Sequence, residues 1–432
     1  MSRDGYVPEG RFGRFARFAM MGGAVATRRL FTRDPAKAAE QMAEVLGNLR
    51  GLAAKVGQMA SYVDGFVPES QAETFQAVLH QLQAQAPRSP AGAVRAQLER
   101  ELGAPVERLF SAFSDEPFAS ASIGQVHEAY LPDGRRVAVK VQHPGIDKAV
   151  EADLANGRSL ADFAAAVLPA TVDPGRLYDE LSRRFKDELD YTREAAAQDR
   201  FMYLHEGDPE IWIPQVIRER SSRRVLTTEL AEGEPLEAVR TWPAQERARI
   251  ARILWRFAYK SILVGSVFNA DPHPGNYLFV RGGPVIFLDF GCIEELTPHV
   301  MRWARAAHRA ALSQNETIFA RNAARLVGAQ GGPWEAAFVA YLRKCVQPLF
   351  YSPFHVTRDF AKELVTGLYD LRQYALDKGS GFSPVPESTL LLNRLHVGFF
   401  SVLARLDAVA DYAAEERKFL TRLEDVEPPT FA

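Results

Sequence analysis

One stretch, Phe268–Cys292, constrains the fold more than any other part of this sequence. Two apolar segments flank the turn Arg281–Pro284, which predicts a β-hairpin with strands at Tyr277–Val280 and Val285–Leu288. A hairpin returns its end to its start, so the side chains of Asp271, Asn276 and Asp289 are expected at one corner. The sequence therefore predicts a cluster of oxygen atoms that suits a hard cation such as Mg²⁺.

The order and spacing of these residues indicate the class of site more specifically than their identities do. An Asp-x-x-x-x-Asn segment, a hairpin and an Asp-Phe-Gly triplet follow one another in the order of the catalytic and metal-binding loops of protein kinases. A surface hairpin with incidental carboxylates is the alternative, and Asp-Phe-Gly alone would favour it. Because both halves occur at hairpin spacing, the sequence favours a site that binds Mg²⁺ together with phosphates.

Composition narrows the class of protein. Of 432 residues, 47% are hydrophobic and 25% are charged, which is typical of a globular protein. The formal net charge of −2 gives no overall attraction to nucleic acid, so no nucleic-acid partner is expected. Two cysteines are too few for a disulfide framework. The sequence shows no apolar run of membrane-spanning length and no secretory signal, so a cytoplasmic location is predicted.

Residues 1–33 form a basic amphipathic segment. Its arginines recur at every third position with phenylalanines between them, at Arg11, Arg14 and Arg17 and at Phe12, Phe15 and Phe18. On a helix this pattern gives a basic strip beside an aromatic one, which suits an anionic membrane surface. Peripheral membrane contact through residues 10–30 is one interpretation. A helix packed on the protein with solvated arginines is the other, and the sequence favours neither.

A helical subdomain is predicted over residues 34–117, where apolar residues keep helical spacing. One of its helices carries Lys55 and Gln58, and another starts at Ser89-Pro90. Residues 118–230 contain the predicted strands, at Ser122–Leu131, Arg136–Val141, Gln215–Arg218 and Val225–Leu230.

The last of these strands ends at Leu230, where a hinge is expected. Residues 231–432 are mainly helical, with helices predicted beyond Pro243 and at 298–326, 333–349, 356–377 and 386–405. The expected fold is α+β, with a strand-rich lobe, a helical lobe and an N-terminal helical extension.

Lys140 follows three small apolar residues on a predicted strand. A lysine at such a position reaches the α and β phosphates of a nucleotide when a carboxylate orients it. Downstream candidates for that carboxylate are Glu188, Asp190 and Glu194, and periodicity alone does not choose among them. A strand lysine taken singly is usually just solvated, so its place upstream of the predicted metal cluster is what makes it a candidate.

The glycine-rich loop that covers the phosphates in ordinary kinases has no counterpart here. Its place is taken by Ala119, Ser120, Ala121 and Ser122. Because alanine and serine restrict the backbone more than glycine does, the hold on the phosphates is expected to differ from that of an ordinary kinase.

Together these motifs resemble those of the UbiB (AarF-domain) family of atypical kinases, and the C-terminal part is similar to its Coq8-like branch. The resemblance rests on six segments in the family's order: Lys55–Gln58, Ser122–His127, Val137–Lys140, Glu188–Ala195, Asp271–Asn276 and Asp289–Gly291. One departure is Ser120, where the family usually has alanine, and it bears on nucleotide preference.

The resemblance implies that ATP and Mg²⁺ are the cofactors. Lys140 would contact the phosphates and pair with Glu194. Asp271 would occupy the catalytic-base position, and Mg²⁺ would be held by Asn276 and Asp289.

It also implies contacts around the nucleotide. Leu230 and the segment Ala119–Ser122 would bind it. Lys55 and Gln58 of the helical subdomain would reach across the active site towards Glu188 and Asp190, and these four residues would cover the groove where a kinase takes a protein substrate.

The function implied is that of an atypical kinase or ATPase that supports ubiquinone (coenzyme Q) or related isoprenoid-lipid metabolism. Its partners would be a nucleotide and an isoprenoid or quinone lipid, or enzymes of lipid biosynthesis. Two alternatives stay open: a phosphotransferase acting on a small molecule or lipid, and a non-enzymatic scaffold gated by nucleotide.

Overall fold

The structure is a computed structural model that describes residues 88–420, apart from 122, 156–182, 184–185, 327, 329–330 and 377–386. The predictions for residues 1–33, for most of the helical subdomain, and for Lys55, Gln58 and Ser122 lie outside the described residues. In the described part of the chain, no helix combines the length and the apolar character needed to cross a bilayer.

The strands of the described residues are, in chain order, β1 (Ala112–Phe113), β2 (Ala119–Ala121), β3 (Gly124–Tyr130), β4 (Arg136–Gln142), β5 (Ile211–Trp212), β6 (Val225–Glu229), β7 (Val267–Asn269), β8 (Tyr277–Phe279), β9 (Val285–Phe287), β10 (Ile293–Glu295), β11 (Phe354–His355) and β12 (Val409–Ala410). The helices of the same residues are α1 (Ala91–Leu102), α2 (Val106–Leu109), α3 (Ile146–Ala155), α4 (Tyr191–Leu204), α5 (Leu236–Val239), α6 (Ala244–Leu263), α7 (Pro298–Leu312), α8 (Glu316–Leu326), α9 (Pro333–Cys345), α10 (Gln347–Phe350), α11 (Arg358–Leu376), α12 (Glu387–Leu406) and α13 (Tyr412–Leu420).

The described residues fall into two compact units. The first contains the chain up to Arg193 together with Val216–Leu230, and the second contains Glu194–Gln215 and the chain from Ala231 onward. The four segments predicted from the sequence stay a prediction, because much of the first two is not described.

The first unit is built on an antiparallel sheet in which β1 and β2 share one edge of β3, followed by β4 and β6. Alternation along β4 explains its two faces, because successive side chains of a strand point to opposite sides. Val137, Val139 and Val141 are fully buried in a core shared with Val94 and Leu98 of α1. Burial of each valine contributes about 1.5–3 kcal/mol to stability. Helix α1 thus covers one face of the sheet, and Lys140 lies on the other.

The predicted hairpin of the first unit is confirmed as β3 and β4. The predicted pairing of Gln215–Arg218 with the β6 segment is confirmed only as one antiparallel bridge, between Val216 and Thr228, because Arg218–Arg220 forms a 3₁₀ turn and β6 pairs along its length with β4. Side-chain bonds compete with a ladder there, because Ser221 Oγ accepts from the Thr227 N–H at 3.0 Å and the Thr227 hydroxyl donates to the Arg220 carbonyl at 2.6 Å.

The second unit packs helices around α6. Its sheet has the order β5-β9-β8, with β5 parallel to β9, and two further strand pairs are β7 with β10 and β11 with β12. The predicted hairpin of β8 and β9 is confirmed. The single helix predicted at 298–326 is wrong, because the chain turns between α7 and α8, where Gln314 has a φ of 55° and Asn315 Oδ1 accepts the Ile318 N–H at 2.9 Å.

Candidate active site

The corner of the β8–β9 hairpin brings predicted site residues together. Strand pairing places Tyr277 opposite Phe287, and the Leu288 N–H donates to the Asn276 carbonyl at 3.1 Å. Asp289 follows directly. The Asn276 side-chain amide donates to Asp271 twice, to its carboxylate Oδ2 at 3.1 Å and to its carbonyl at 2.9 Å. The amide thereby turns its carbonyl oxygen Oδ1 away from Asp271 and leaves it available as a ligand.

A short turn shapes the segment between Asp271 and Asn276. Pro274–Asn276 forms a 3₁₀ turn, capped by His273, whose Nδ1 accepts the Gly275 N–H at 3.1 Å. The Asp271 carbonyl also accepts the His273 N–H at 2.8 Å. These local bonds fix the conformation of the segment, and thereby the separation in space of the Asp271 carboxylate and the Asn276 amide.

Sequence reasoning missed Asn269, which joins the two segments of the corner. Its Oδ1 accepts the Asp271 N–H at 2.9 Å, and its Nδ2 donates to the Asp289 carbonyl at 2.5 Å. The first bond is local and follows the Asn-x-Asp spacing of an Asx turn, so the sequence carried a signal for it. The second bond depends on the fold. One side chain thus holds both carboxylate-bearing segments in register.

The Asp-Phe-Gly segment is anchored by α4. Phe290 is buried and its ring centroid lies 5.0 Å from that of Phe201. The Gly291 N–H donates to Asp289 Oδ1 at 2.8 Å. A Cβ on Gly291 would stand 3.2 Å from that oxygen and 3.6 Å from Glu194 Oε2, so the buried Glu194 carboxylate lies beside this segment.

Tyr277, which directly follows Asn276, has a raised pKa. Burial, and secondarily the negative charge of Asp271, raise the pKa of Tyr277 above its ordinary range. The hydroxyl of Tyr277 therefore stays protonated at physiological pH.

The donor set of the corner fits a hard cation but supplies few ligands. The described residues contain no group of three or more His, Cys, Asp or Glu side chains placed to hold a metal ion. Asn276 and Asp289 offer oxygen atoms from one amide and one carboxylate. Magnesium commonly takes one or two protein oxygens and completes an octahedron with phosphate and water oxygens, so this set fits it.

Lys140 lies in a cross-strand row of the first unit's sheet. Strand pairing places Val126 opposite Lys140 and also opposite Ala119, and places Leu226 on the other side of Lys140. Paired residues of antiparallel strands point to the same face. Lys140 therefore emerges from an apolar surface that Val126, Leu226 and the half-buried Ala138 extend. Sequence reasoning did not select these three residues, because they lie on three different strands, β3, β4 and β6, and their shared face follows only from the strand pairing.

The predicted phosphate loop is a strand. Ala119, Ser120 and Ala121 form β2, in which Ala121 pairs with Gly124 across a two-residue turn. A Cβ on Gly124 would lie 2.3 Å from the Val141 carbonyl oxygen, a distance that side chains do not adopt, so the turn needs glycine there.

The remaining motif residues of the β2–β3 hairpin are buried on the core face. Gln125 Oε1 accepts the Ser89 N–H at 2.8 Å, and its Nε2 donates to His127 Nε2 at 2.8 Å. The other ring nitrogen of His127 lies 2.8 Å from the Ser114 carbonyl and donates to it. Burial lowers the pKa of His127, which keeps the ring neutral. This chain of hydrogen bonds ties the residues before α1 to β3.

The other predicted site residues take separate places. Asp190 precedes α4 and caps it, because its Oδ1 accepts the Thr192 N–H at 3.0 Å. Glu188, two residues earlier in the chain, is half-buried. The Leu230 N–H donates to the Arg136 carbonyl at 3.1 Å at the end of the sheet. Lys140 belongs to the first unit and Glu194 to the second, and their pairing stays a prediction.

Comparisons with known proteins agree with this geometry. Residues 81–322 match the family described as the ABC1 atypical kinase-like domain. A solved structure from Mycobacterium tuberculosis, Rv3197 in complex with erythromycin, is 30% identical and covers 88% of this chain and 95% of its own, with a TM-score of 0.63. The predicted α+β atypical kinase-like fold is confirmed.

Two of the curated relatives with kinase names show how far the similarity extends. The mitochondrial atypical kinase coq-8 of Caenorhabditis elegans is 34% identical over 317 residues, which make up 67% of this chain and 41% of the relative. The probable protein kinase UbiB of Marinobacter nauticus is 30% identical over 394 residues, or 86% of this chain and 67% of the relative. The chain thus spans about two fifths of the length of the first curated relatives. The predicted resemblance to UbiB and Coq8-like proteins is confirmed.

Proposed function

This chain belongs to the family of ABC1 atypical kinase-like domains, and from that premise we propose that it binds Mg-ATP and hydrolyses it in support of ubiquinone or related isoprenoid-lipid metabolism. The observation that carries the proposal is the clamped corner, where Asn269 holds the Asp271 and Asp289 segments together and Asn276 donates to Asp271. A surface hairpin with incidental carboxylates has no need of such a clamp.

Each residue of the corner has a proposed role. Asn276 and Asp289 hold Mg²⁺, which when bound neutralises phosphate charge. Asp271 orients the attacking hydroxyl or water and accepts its proton, since its carboxylate is fixed by a hydrogen bond from the Asn276 amide. Lys140 contacts the phosphates, and Glu194 orients it.

The sheet face of the first unit supports the nucleotide half of the proposal. Val126, Ala138 and Leu226 offer an apolar surface for a base, and Lys140 adds a cation next to it. The hairpin formed by Ala119–Ala121 and β3 takes the place of the glycine-rich loop, and Leu230 lies at the far end of the sheet.

The test is phosphate release from Mg-ATP by the purified chain. We expect turnover that Asp271→Ala and Asp289→Asn abolish. Asp133→Asn is the matched control, because Asp133 lies in an exposed turn and bonds Arg135, two residues later in the same turn. Equal turnover in all four proteins would contradict the proposal.

Two results would favour the alternatives. Transfer of label from γ-labelled ATP to an added lipid would favour a phosphotransferase. Nucleotide binding without turnover would favour a scaffold. The pathway is tested by the quinone-lipid profile of a deletion strain, which the wild-type gene should restore and Asp289→Asn should not.

Membrane contact through residues 10–30 is a separate part of the proposal. Flotation with anionic liposomes should weaken in high salt and on deletion of residues 1–33, because salt screens the attraction between arginines and lipid phosphates. Equal flotation of the truncated protein would exclude this contact.

A further inference from the structure

Tyr191 touches the candidate phosphate-binding lysine. It ends the Glu-Leu-Asp-Tyr motif, starts α4 and is 2% exposed. The Lys140 ammonium nitrogen lies 5.0 Å from the centroid of the Tyr191 ring, within the range of a cation–π contact. A lysine carries its charge on a flexible four-carbon side chain. A ring in contact with the ammonium group therefore restricts the positions that the ammonium group can adopt.

The same tyrosine reaches the β2–β3 hairpin. A Cβ placed on Gly124 would stand 3.0 Å from the Tyr191 hydroxyl oxygen. The ring therefore spans the distance from Lys140 on β4 to the main chain at the start of β3. A single side chain contacts both parts of the unit that the proposed function places against phosphates.

The main chain around Tyr191 is held on both sides. Its N–H donates to the Arg223 carbonyl at 2.9 Å, in the segment that leads into β6. Asp190 caps the helix through the Thr192 N–H. The main chain that carries the Tyr191 ring is therefore fixed. A residue that positions another side chain needs such a fixed main chain.

We propose that Tyr191 is a positioning residue, which fixes the Lys140 ammonium group and the turn of the β2–β3 hairpin for binding of nucleotide phosphates. The inference rests on the proposed function, in which Lys140 contacts those phosphates. In this proposal Tyr191 acts through Lys140 and the hairpin, and not by contact with the nucleotide.

The test compares Tyr191→Leu, which removes the ring, with Tyr191→Phe, which keeps the ring face. Tyr130→Leu is the matched control, because Tyr130 lies in the same sheet and its side chain is exposed. Two quantities are measured on each folded protein. One is the rate at which an amine-reactive reagent labels Lys140, followed by mass spectrometry. The other is the dissociation constant for Mg-ATP and for adenosine.

We expect Tyr191→Leu to speed labelling of Lys140 severalfold and to weaken Mg-ATP about tenfold, which lies between the few-fold effect of an exposed cation–π contact and the roughly thirtyfold effect of one shielded from water. Adenosine affinity should hold, because adenosine lacks the phosphates that Lys140 contacts. Tyr191→Phe should lose far less than Tyr191→Leu, and Tyr130→Leu should match the wild type.

Labelling of Lys140 at the same rate in Tyr191→Leu and Tyr130→Leu would overturn the inference. So would an equal loss of adenosine and Mg-ATP affinity, since that would indicate a general effect on the fold. A wild-type protein that binds no Mg-ATP would contradict the proposed function instead, and the labelling rates would still decide whether Tyr191 positions Lys140.

Discussion

Replacement of Asn269 by alanine should lower ATP turnover much more than it lowers the stability of the protein. The substitution removes the acceptor of the Asp271 N–H and the donor to the Asp289 carbonyl. A hydrogen bond contributes about 0.5–1.5 kcal/mol net, so two lost bonds should lower the free energy of unfolding by about 1–3 kcal/mol.

The effect on ATP turnover should be larger than that on stability. Without Asn269, the segments carrying Asp271 and Asp289 lose the side chain that bonds to both of them. A shift of about 1 Å between catalytic groups costs on the order of 10²-fold in rate, and we expect a loss of that size. Asn269→Asp keeps the acceptor but sets an oxygen against the Asp289 carbonyl, so it should also lose activity.

Asn315→Ala is the control for this prediction. Asn315 accepts the Ile318 N–H at the start of α8, and loss of such a cap costs about 1 kcal/mol. Urea unfolding and phosphate release are measured for all variants. Turnover of Asn269→Ala that equals that of Asn315→Ala, at comparable stability, would refute the clamp.

Three further predictions concern other parts of the chain. Gly124→Ala should lower the free energy of unfolding by about 1–3 kcal/mol in urea titrations, because the new Cβ would overlap the Val141 carbonyl. Gly92→Ala is the control and should not destabilise the protein, because the space around Gly92 is open. Burial, and secondarily the charge of His308, lower the pKa of His396 to about 4, so the folded state favours the neutral imidazole. The free energy of unfolding should therefore fall by about 3 kcal/mol as the pH drops from 6.5 to 4. His396→Phe should make the free energy of unfolding less dependent on pH over this range. Lys55→Ala should change ATP turnover or unmask autophosphorylation, and a variant equal to wild type in ATPase rate, nucleotide affinity and autophosphorylation would make Lys55 a surface residue.

The parts of the fold with strong periodicity could be predicted from the sequence. Alternation in Arg136–Gln142 and the Arg-Gly-Gly-Pro turn located β4 and the β8–β9 hairpin, because these signals lie within a few neighbouring residues. The short strands β5, β7 and β10 are not joined to their partners by such a turn, so they carry no local signal. Their pairing depends on partners far away in the chain.

The candidate site divides in the same way. Asp271, Asn276 and Asp289 could be found because the hairpin that joins them is local. Asn269 was missed because one of its two partners is a main-chain carbonyl twenty residues away, which sequence patterns do not record. Tyr191 belonged to a recognised motif, but its contact with Lys140 requires the fold of the first unit.

The central claim is that the corner of the β8–β9 hairpin binds nucleotide through Mg²⁺. Its most direct test is calorimetric titration of ATP into the wild-type chain and Asp289→Asn, each with Mg²⁺ and with EDTA. We predict that wild type binds ATP tightly only with Mg²⁺, and that Asp289→Asn loses this metal dependence because a charged ligand is removed. The same Mg²⁺-dependent affinity in Asp289→Asn and wild type would contradict the claim.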